Sequence, residues 1–223
     1  MIDITAQQLY KRIEILNESP CELLDEVEAR ELLQAFFDKS LMELPAEDLK
    51  PAFSLLRKIN INSSEQAKKI DFTDLISTLT FCFDLIYAQK EKRILFTSDT
   101  RDITVCAEPE KISLSFLNIL FTIIEYASSP YFFVSLKDFT DRVLIEIEYE
   151  GEPDSFEFPV FNRLINDYIY SLGGCILFLK QSEGKKAIIS VPVNMNSNLP
   201  EYQAPGVEDL LFDRLSVIYS SLF

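Results

Sequence analysis

Residues 109–128 constrain this chain more than any other stretch. After Pro109 no glycine or proline interrupts a run dominated by Leu, Ile and Phe. Its length suits a single, well-buried helix. The polar residues in it are not scattered. Ser115, Asn118, Thr122 and Glu125 recur at spacings of three, four and three, so they fall on one narrow stripe of the helix. A helix of this kind packs under a sheet and turns a thin polar strip outward.

The flanking sequence supplies the sheet. Residues 93–98 and 103–106 are short β-rich runs separated by a turn at Ser98-Asp99-Thr100-Arg101. Residues 131–138 and 142–149 read as two further strands. In the second of these, Val143, Ile145 and Ile147 alternate with Leu144, Glu146 and Glu148, giving one buried face and one that turns acidic and solvated. A helix over 159–172 stops at Gly173-Gly174, and strands at 175–181 and 186–193 flank Glu183-Gly184. Upstream, residues 71–90 read as a helix capped by Asp71 or Thr73.

The N-terminal third is helical by spacing. Helices are expected over 3–18 and over 20–38, the second starting at Pro20, and a third opens at Pro45 with Phe53, Leu55, Leu56 and Ile59 inward. This hairpin or three-helix segment (1–64) is too short to bury its own core comfortably, which favours dimerisation or docking on the rest. Residues 65–193 form the α/β body. Residues 194–223 read as a polar linker and one amphipathic helix marked by Val207, Leu210, Leu211, Leu215, Ile218 and Leu222, packed on the body or on a partner. The expected fold class is α+β, a two-layer α/β sandwich with helices on one face of a mixed sheet.

Composition narrows function. The net charge is −15, and residues 1–50 alone carry twelve acids against five bases. Nucleic acid and anionic membrane both demand positive surface, so neither is expected as a partner. No apolar run is long enough to span a bilayer and the N-terminus has no signal-peptide pattern, so a cytoplasmic protein is expected. Cys21, Cys82, Cys106 and Cys175 are far apart among apolar neighbours and read as reduced thiols. The absence of histidine removes a catalytic triad, a histidine-based zinc site and a phosphoryl-accepting imidazole. No metal site is expected.

The run Leu117-Asn118-Ile119-Leu120-Phe121-Thr122-Ile123-Ile124-Glu125-Tyr126 resembles the N-box helix of histidine-kinase-type (GHKL) ATPase domains, whose pattern is roughly Leu-x-Asn-Leu-Leu-x-Asn-Ala-x-Lys-Tyr. The order of elements from about Lys69 to Val193 is similar to that family's sandwich, including the helix that ends in Gly-Gly and the final strand ending near Pro192. The resemblance implies an ATP site with four parts, and each departs here. Asn118 stands on the first N-box Asn. Thr122 stands on the second, the one that holds magnesium. Tyr149 stands where the adenine-binding Asp belongs, in Ile147-Glu148-Tyr149-Glu150-Gly151-Glu152-Pro153, where Gly151 survives and Pro153 replaces the second glycine. Only residues 152–158 separate this turn from the next helix, too few for the family's lid. The phosphoacceptor histidine is missing as well.

The expectation is therefore a degenerate, catalytically inactive histidine-kinase-like protein with no catalytic residues and no bound cofactor. Asn118, Thr122, Tyr149 and Gly151 would be vestiges of the ATP/Mg site. It would act as a scaffold or regulator in two-component-type signalling, with a histidine kinase or response regulator as partner and a homodimer formed through the N-terminal helices. Two alternatives stand beside it: a diverged kinase that still binds ATP or ADP, and a small-ligand sensor using the vacated pocket.

Overall fold

The computed structural model describes residues 5–20, 25–40, 49–63, 65–100, 102–151, 167–181, 184–193 and 198–222. Three helices lead: α1 (Ala6–Glu18), α2 (Glu26–Ser40) and α3 (Lys50–Asn62). Thr5 and Gln8 form a capping box that starts α1 by satisfying two otherwise orphaned backbone N–H groups. Pro51 sits in the first turn of α3, where no backbone donor is needed. The expected helix start at Pro45 lies outside the described residues.

Leu9 and Ile13 of α1, Leu33, Phe36 and Phe37 of α2, and Phe53, Leu55 and Leu56 of α3 share one apolar cluster. That cluster is closed from outside the helical segment by Leu215 and Tyr219. The short helices thus obtain apolar cover from the far end of the chain.

The body is built on two sheets. The larger has strand order β2-β4-β5-β7-β6, from β2 (Arg93–Ser98), β4 (Tyr131–Asp138), β5 (Arg142–Tyr149), β7 (Gly184–Pro192) and β6 (Cys175–Gln181). β2 runs parallel to β4 and the other pairs are antiparallel, so the sheet is mixed. Phe132, Val134, Leu136, Val143, Ile145, Ile147, Ala187, Ile189 and Val191 line its inner face and join one core with α4 (Phe72–Tyr87) and α5 (Pro109–Tyr126). This is the expected sandwich. The Asp71 carboxylate accepts from the Asp74 N–H at 2.9 Å and starts α4.

Four features differ from the sequence reading. Lys68–Asp71 is a strand, β1, which pairs antiparallel with β3 (Thr104–Ala107) and parallel with β8 (Glu201–Tyr202) in a second, small sheet. Part of the expected polar linker is therefore a strand. The two runs either side of Ser98–Arg101 belong to different sheets. The single C-terminal helix is two short ones, α6 (Val207–Phe212) and α7 (Val217–Leu222). The break between them is held by Asp213, whose carboxylate accepts from the Leu215 N–H at 2.9 Å.

Both tail helices pack on the chain itself. Leu210 and Ile218 enter the body core while Tyr219 enters the helical cluster. α7 lies between α3 and α5: the Arg57 guanidinium donates to the Ser220 carbonyl at 2.6 Å, and Tyr219 stacks on Phe53 with ring centroids 5.8 Å apart.

Candidate functional site

α5 carries the polar strip, and the strip is not outward. Ser115, Asn118 and Thr122 are all buried, against the expectation of an exposed stripe; only Glu125, one turn on, is exposed. Burial is tolerable because the hydroxyls are satisfied within the helix. Ser113 donates to the Pro109 carbonyl at 2.7 Å, Ser115 to Lys111 at 2.8 Å and Thr122 to Asn118 at 2.7 Å. Such back-bonded hydroxyls read as polar in sequence yet need no water. The exception is Asn118, whose buried Nδ2 has no hydrogen-bond partner among the described residues.

At the end of the strip the Glu125 carboxylate accepts from the Tyr87 hydroxyl at 2.8 Å and from the Lys90 ammonium at 3.2 Å. Burial opposes its ionisation, but these two donors together hold its carboxyl below the usual range. Burial, then the neighbouring carboxylate, push the Tyr87 phenol far above its ordinary value.

Tyr149 closes β5 and is only 4 % exposed, inside the body core. Beyond it Gly151 has φ +92°, and a Cβ there would lie 2.2 Å from the Ser128 Oγ. Glycine is required by both the backbone and the close approach. Ser128 follows α5 directly, so this contact places the ends of α5 and β5 side by side. The lid segment 152–158 and most of the helix expected at 159–172 lie outside the described residues; 167–171 are helical.

A cavity of about 300 Å³ opens beside Tyr149, lined among others by Tyr131, Phe133, Glu148, Glu150 and Lys185. Neither Asn118 nor Thr122 borders it. Of Asn118, Thr122, Tyr149 and Gly151, Tyr149 alone borders this cavity. Among the described residues no group of three or more Cys, Asp or Glu is arranged to hold a metal ion.

Sequence reasoning missed two charge constellations. Glu146, taken for a solvated strand residue, is only 7 % exposed. Its carboxylate meets the ammonium groups of Lys186 at 2.7 Å and Lys137 at 2.9 Å, and Lys186 also reaches Glu148 at 2.7 Å. The β5–β7 register sets Glu148 opposite Lys186, a pairing invisible until register is known. In the second, the Asp84 carboxylate of α4 accepts from Arg93 Nε and Nη2, each at 2.9 Å, and from the Ile94 N–H at 2.8 Å. Cys82, Cys106 and Cys175 are free, and burial pushes the Cys82 thiol up to about 11. Cys21 lies outside the described residues. No helix among the described residues is long and apolar enough to cross a membrane.

No protein-family model and no curated protein matches the chain. Solved structures do. The nucleotide-free catalytic domain of the histidine kinase ThkA aligns at 17 % identity over 57 % of this chain and 96 % of its own, with TM-score 0.51. The ATP-binding domain of PrrB from Mycobacterium tuberculosis aligns at 16 % identity over 58 % of this chain and 99 % of its own, also with TM-score 0.51. Identity at this level speaks to architecture and not to chemistry. With its mixed five-stranded sheet roofed by α4 and α5, this chain has the fold of histidine-kinase ATP-binding domains, preceded among the described residues by α1, α2 and α3.

Proposed function

We propose that the chain is a catalytically inactive histidine-kinase-like signalling protein that works by contact, as a scaffold or regulator in two-component-type signal transduction. Its partner would be another signalling protein, a histidine kinase or a response regulator. One observation carries the reading: at the position where the family resemblance calls for an adenine-binding carboxylate, Tyr149 is buried in the body core. A phenol ring packed into that core has replaced the acceptor that adenine needs. Thr122 adds support, since its hydroxyl is already committed to the Asn118 carbonyl and a shorter side chain stands where magnesium would need a carboxamide. The lack of any histidine removes the phosphoryl acceptor independently.

One observation favours the ligand-sensing alternative. The cavity of about 300 Å³ beside Tyr149, with Glu148, Glu150 and Lys185 in its lining, offers a small polar ligand both space and charged partners. Isothermal calorimetry with ATP or ADP plus magnesium tests the main reading: no heat of binding is expected, and micromolar affinity would refute it.

A further inference from the structure

We propose that two copies of this chain associate face to face through the outer side of the five-stranded sheet, about a two-fold axis that runs along the strands over the gap between β5 and β7. A sheet with one solvated face alternates apolar and polar residues, whereas a sheet covered on both faces carries unbroken apolar runs. Here the runs are unbroken: Tyr131-Phe132-Phe133-Val134 in β4, Val143-Leu144-Ile145 in β5, Ala187-Ile188-Ile189 in β7 and Ile176-Leu177-Phe178-Leu179 in β6. α4 and α5 cover only the inner members of these runs. Phe133, Leu177 and Leu179 stand on the outer face, belong to neither apolar core and expose 48 %, 49 % and 43 % of their surface.

The charges on this face favour a second copy as its cover. At its centre the Glu146 and Glu148 carboxylates are tied to the Lys137 and Lys186 ammonium groups, so acid and base balance there. That neutral patch lies on a chain of net charge −15. Two such chains repel across most of their surface, and here they meet without that repulsion. A strongly basic partner finds more attraction on the rest of the surface.

Register then selects the axis. β5 and β7 set Glu148 opposite Lys186. The same row continues outward on both sides, with Phe133 of β4 opposite Glu148 and Leu179 of β6 opposite Lys186. An axis between β5 and β7 lays β5 of one copy over β7 of the other, and β4 over β6. Each Glu148 then faces a Lys186 across the interface and each Phe133 faces a Leu179, both twice over by symmetry. An axis over β5 itself would set Glu148 against Glu148. The sheets pack aligned, within about 30°. Four overlapping strands about 4.8 Å apart, eight residues long in β4 and β5, cover about 500 Å² per copy. The pair buries about 1,000 Å², the lower limit for a specific interface, so a reversible dimer is expected. This association goes beyond the signalling role proposed above and stands without it.

Light scattering and sedimentation equilibrium on the whole chain test it, with a concentration-dependent dimer of the 25.7 kDa chain expected. Phe133→Lys and Leu179→Glu each set an unpaired charge against an apolar side chain of the other copy. Each is expected to weaken the dimer more than about tenfold. Within the monomer the new charges lie opposite Glu148 and Lys186 respectively, both favourable cross-strand pairs, so its thermal midpoint is expected to hold. Mixing the two variants pairs the new charges in one half of the interface and leaves the native Phe133–Leu179 contact in the other. Association is therefore expected to return in the mixture alone. Val27→Glu, on the exposed surface of α2, is the control for association through the N-terminal helices and is expected to leave the dimer intact. A monomer at every concentration overturns the proposal. So does a dimer that both sheet substitutions leave intact or that Val27→Glu dissociates, and so does a mixture that stays monomeric.

Discussion

The helical segment and the α/β body bury their apolar residues in different ways. In the body, a continuous ladder of strands fixes register first, and the inward residues Val134, Ile145, Ile147 and Ile189 meet α4 and α5 as a consequence. In the helical segment nothing fixes register except side-chain packing, and its cluster is completed by Leu215 and Tyr219 from the tail. The body fixes its own register, although Leu210 and Ile218 of the tail also enter its core. The helices depend on a loan from residues far along the chain.

The largest effect that would sharpen this contrast is a cavity in the body. Ile145→Ala, at a fully buried position in the sheet centre, is expected to cost about 2–5 kcal/mol and to lower the stability of the whole molecule, read by urea denaturation with circular dichroism. A selective loss comes next. Tyr219→Ala deletes the ring stacked on Phe53 and the hydrogen bond its hydroxyl donates to the Leu211 carbonyl at 2.7 Å. About 2 kcal/mol is expected, appearing as faster amide exchange in α1–α3 with β4 and β5 still protected. If β4 and β5 lost protection equally, the two regions would be one cooperative unit.

The smallest effect distinguishes a carboxylate inside the body from one at the junction. Hydrogen bonds from Arg93 hold the Asp84 carboxyl below its ordinary value, against the opposing pull of burial. Its stabilisation is fully present above the ordinary carboxylate value and is lost as pH falls through the lower folded value. Glu110, facing Arg30 of α2 at 3.3 Å, has its carboxyl raised by burial even though Arg30 pulls the other way. Its contribution has the reverse sign, so the fold gains as pH falls from neutral through the raised value. Glu110→Gln is expected to change stability by less than about 1 kcal/mol and to abolish that gain, whereas Asp84→Asn removes the acid-side loss. Thermal midpoints between pH 3 and 7 (range chosen to span ordinary carboxylate values) would separate the two.

Much of the body was legible because period and punctuation agree there. The alternation in 142–149, the apolar run of α5 and the cap at Asp71 are local signals. β1 and β8 were not legible. At four and two residues they exist only because β3 and Pro200 present backbone groups to them; the Lys69 N–H donates to the Pro200 carbonyl at 2.8 Å. The tail read as one helix because its apolar spacing continues across the break, while Asp213 and Ser216 bond locally and divide it. At the candidate site, Thr122 and Tyr149 could be singled out only by their place in the family resemblance. That the strip around Asn118 is buried was not, since serine and threonine hide their polarity by bonding to the preceding turn.

The tail has a consequence for how the molecule is made. The hydrogen bond from Arg57 to Ser220 spans 163 positions, and Tyr219 reaches a cluster whose other members all lie before residue 60 except Leu215. A ribosome delivers the helices first and their cover much later. Until residues 215–219 emerge, Phe53 and its neighbours lack that cover, so for most of translation this segment exposes apolar surface.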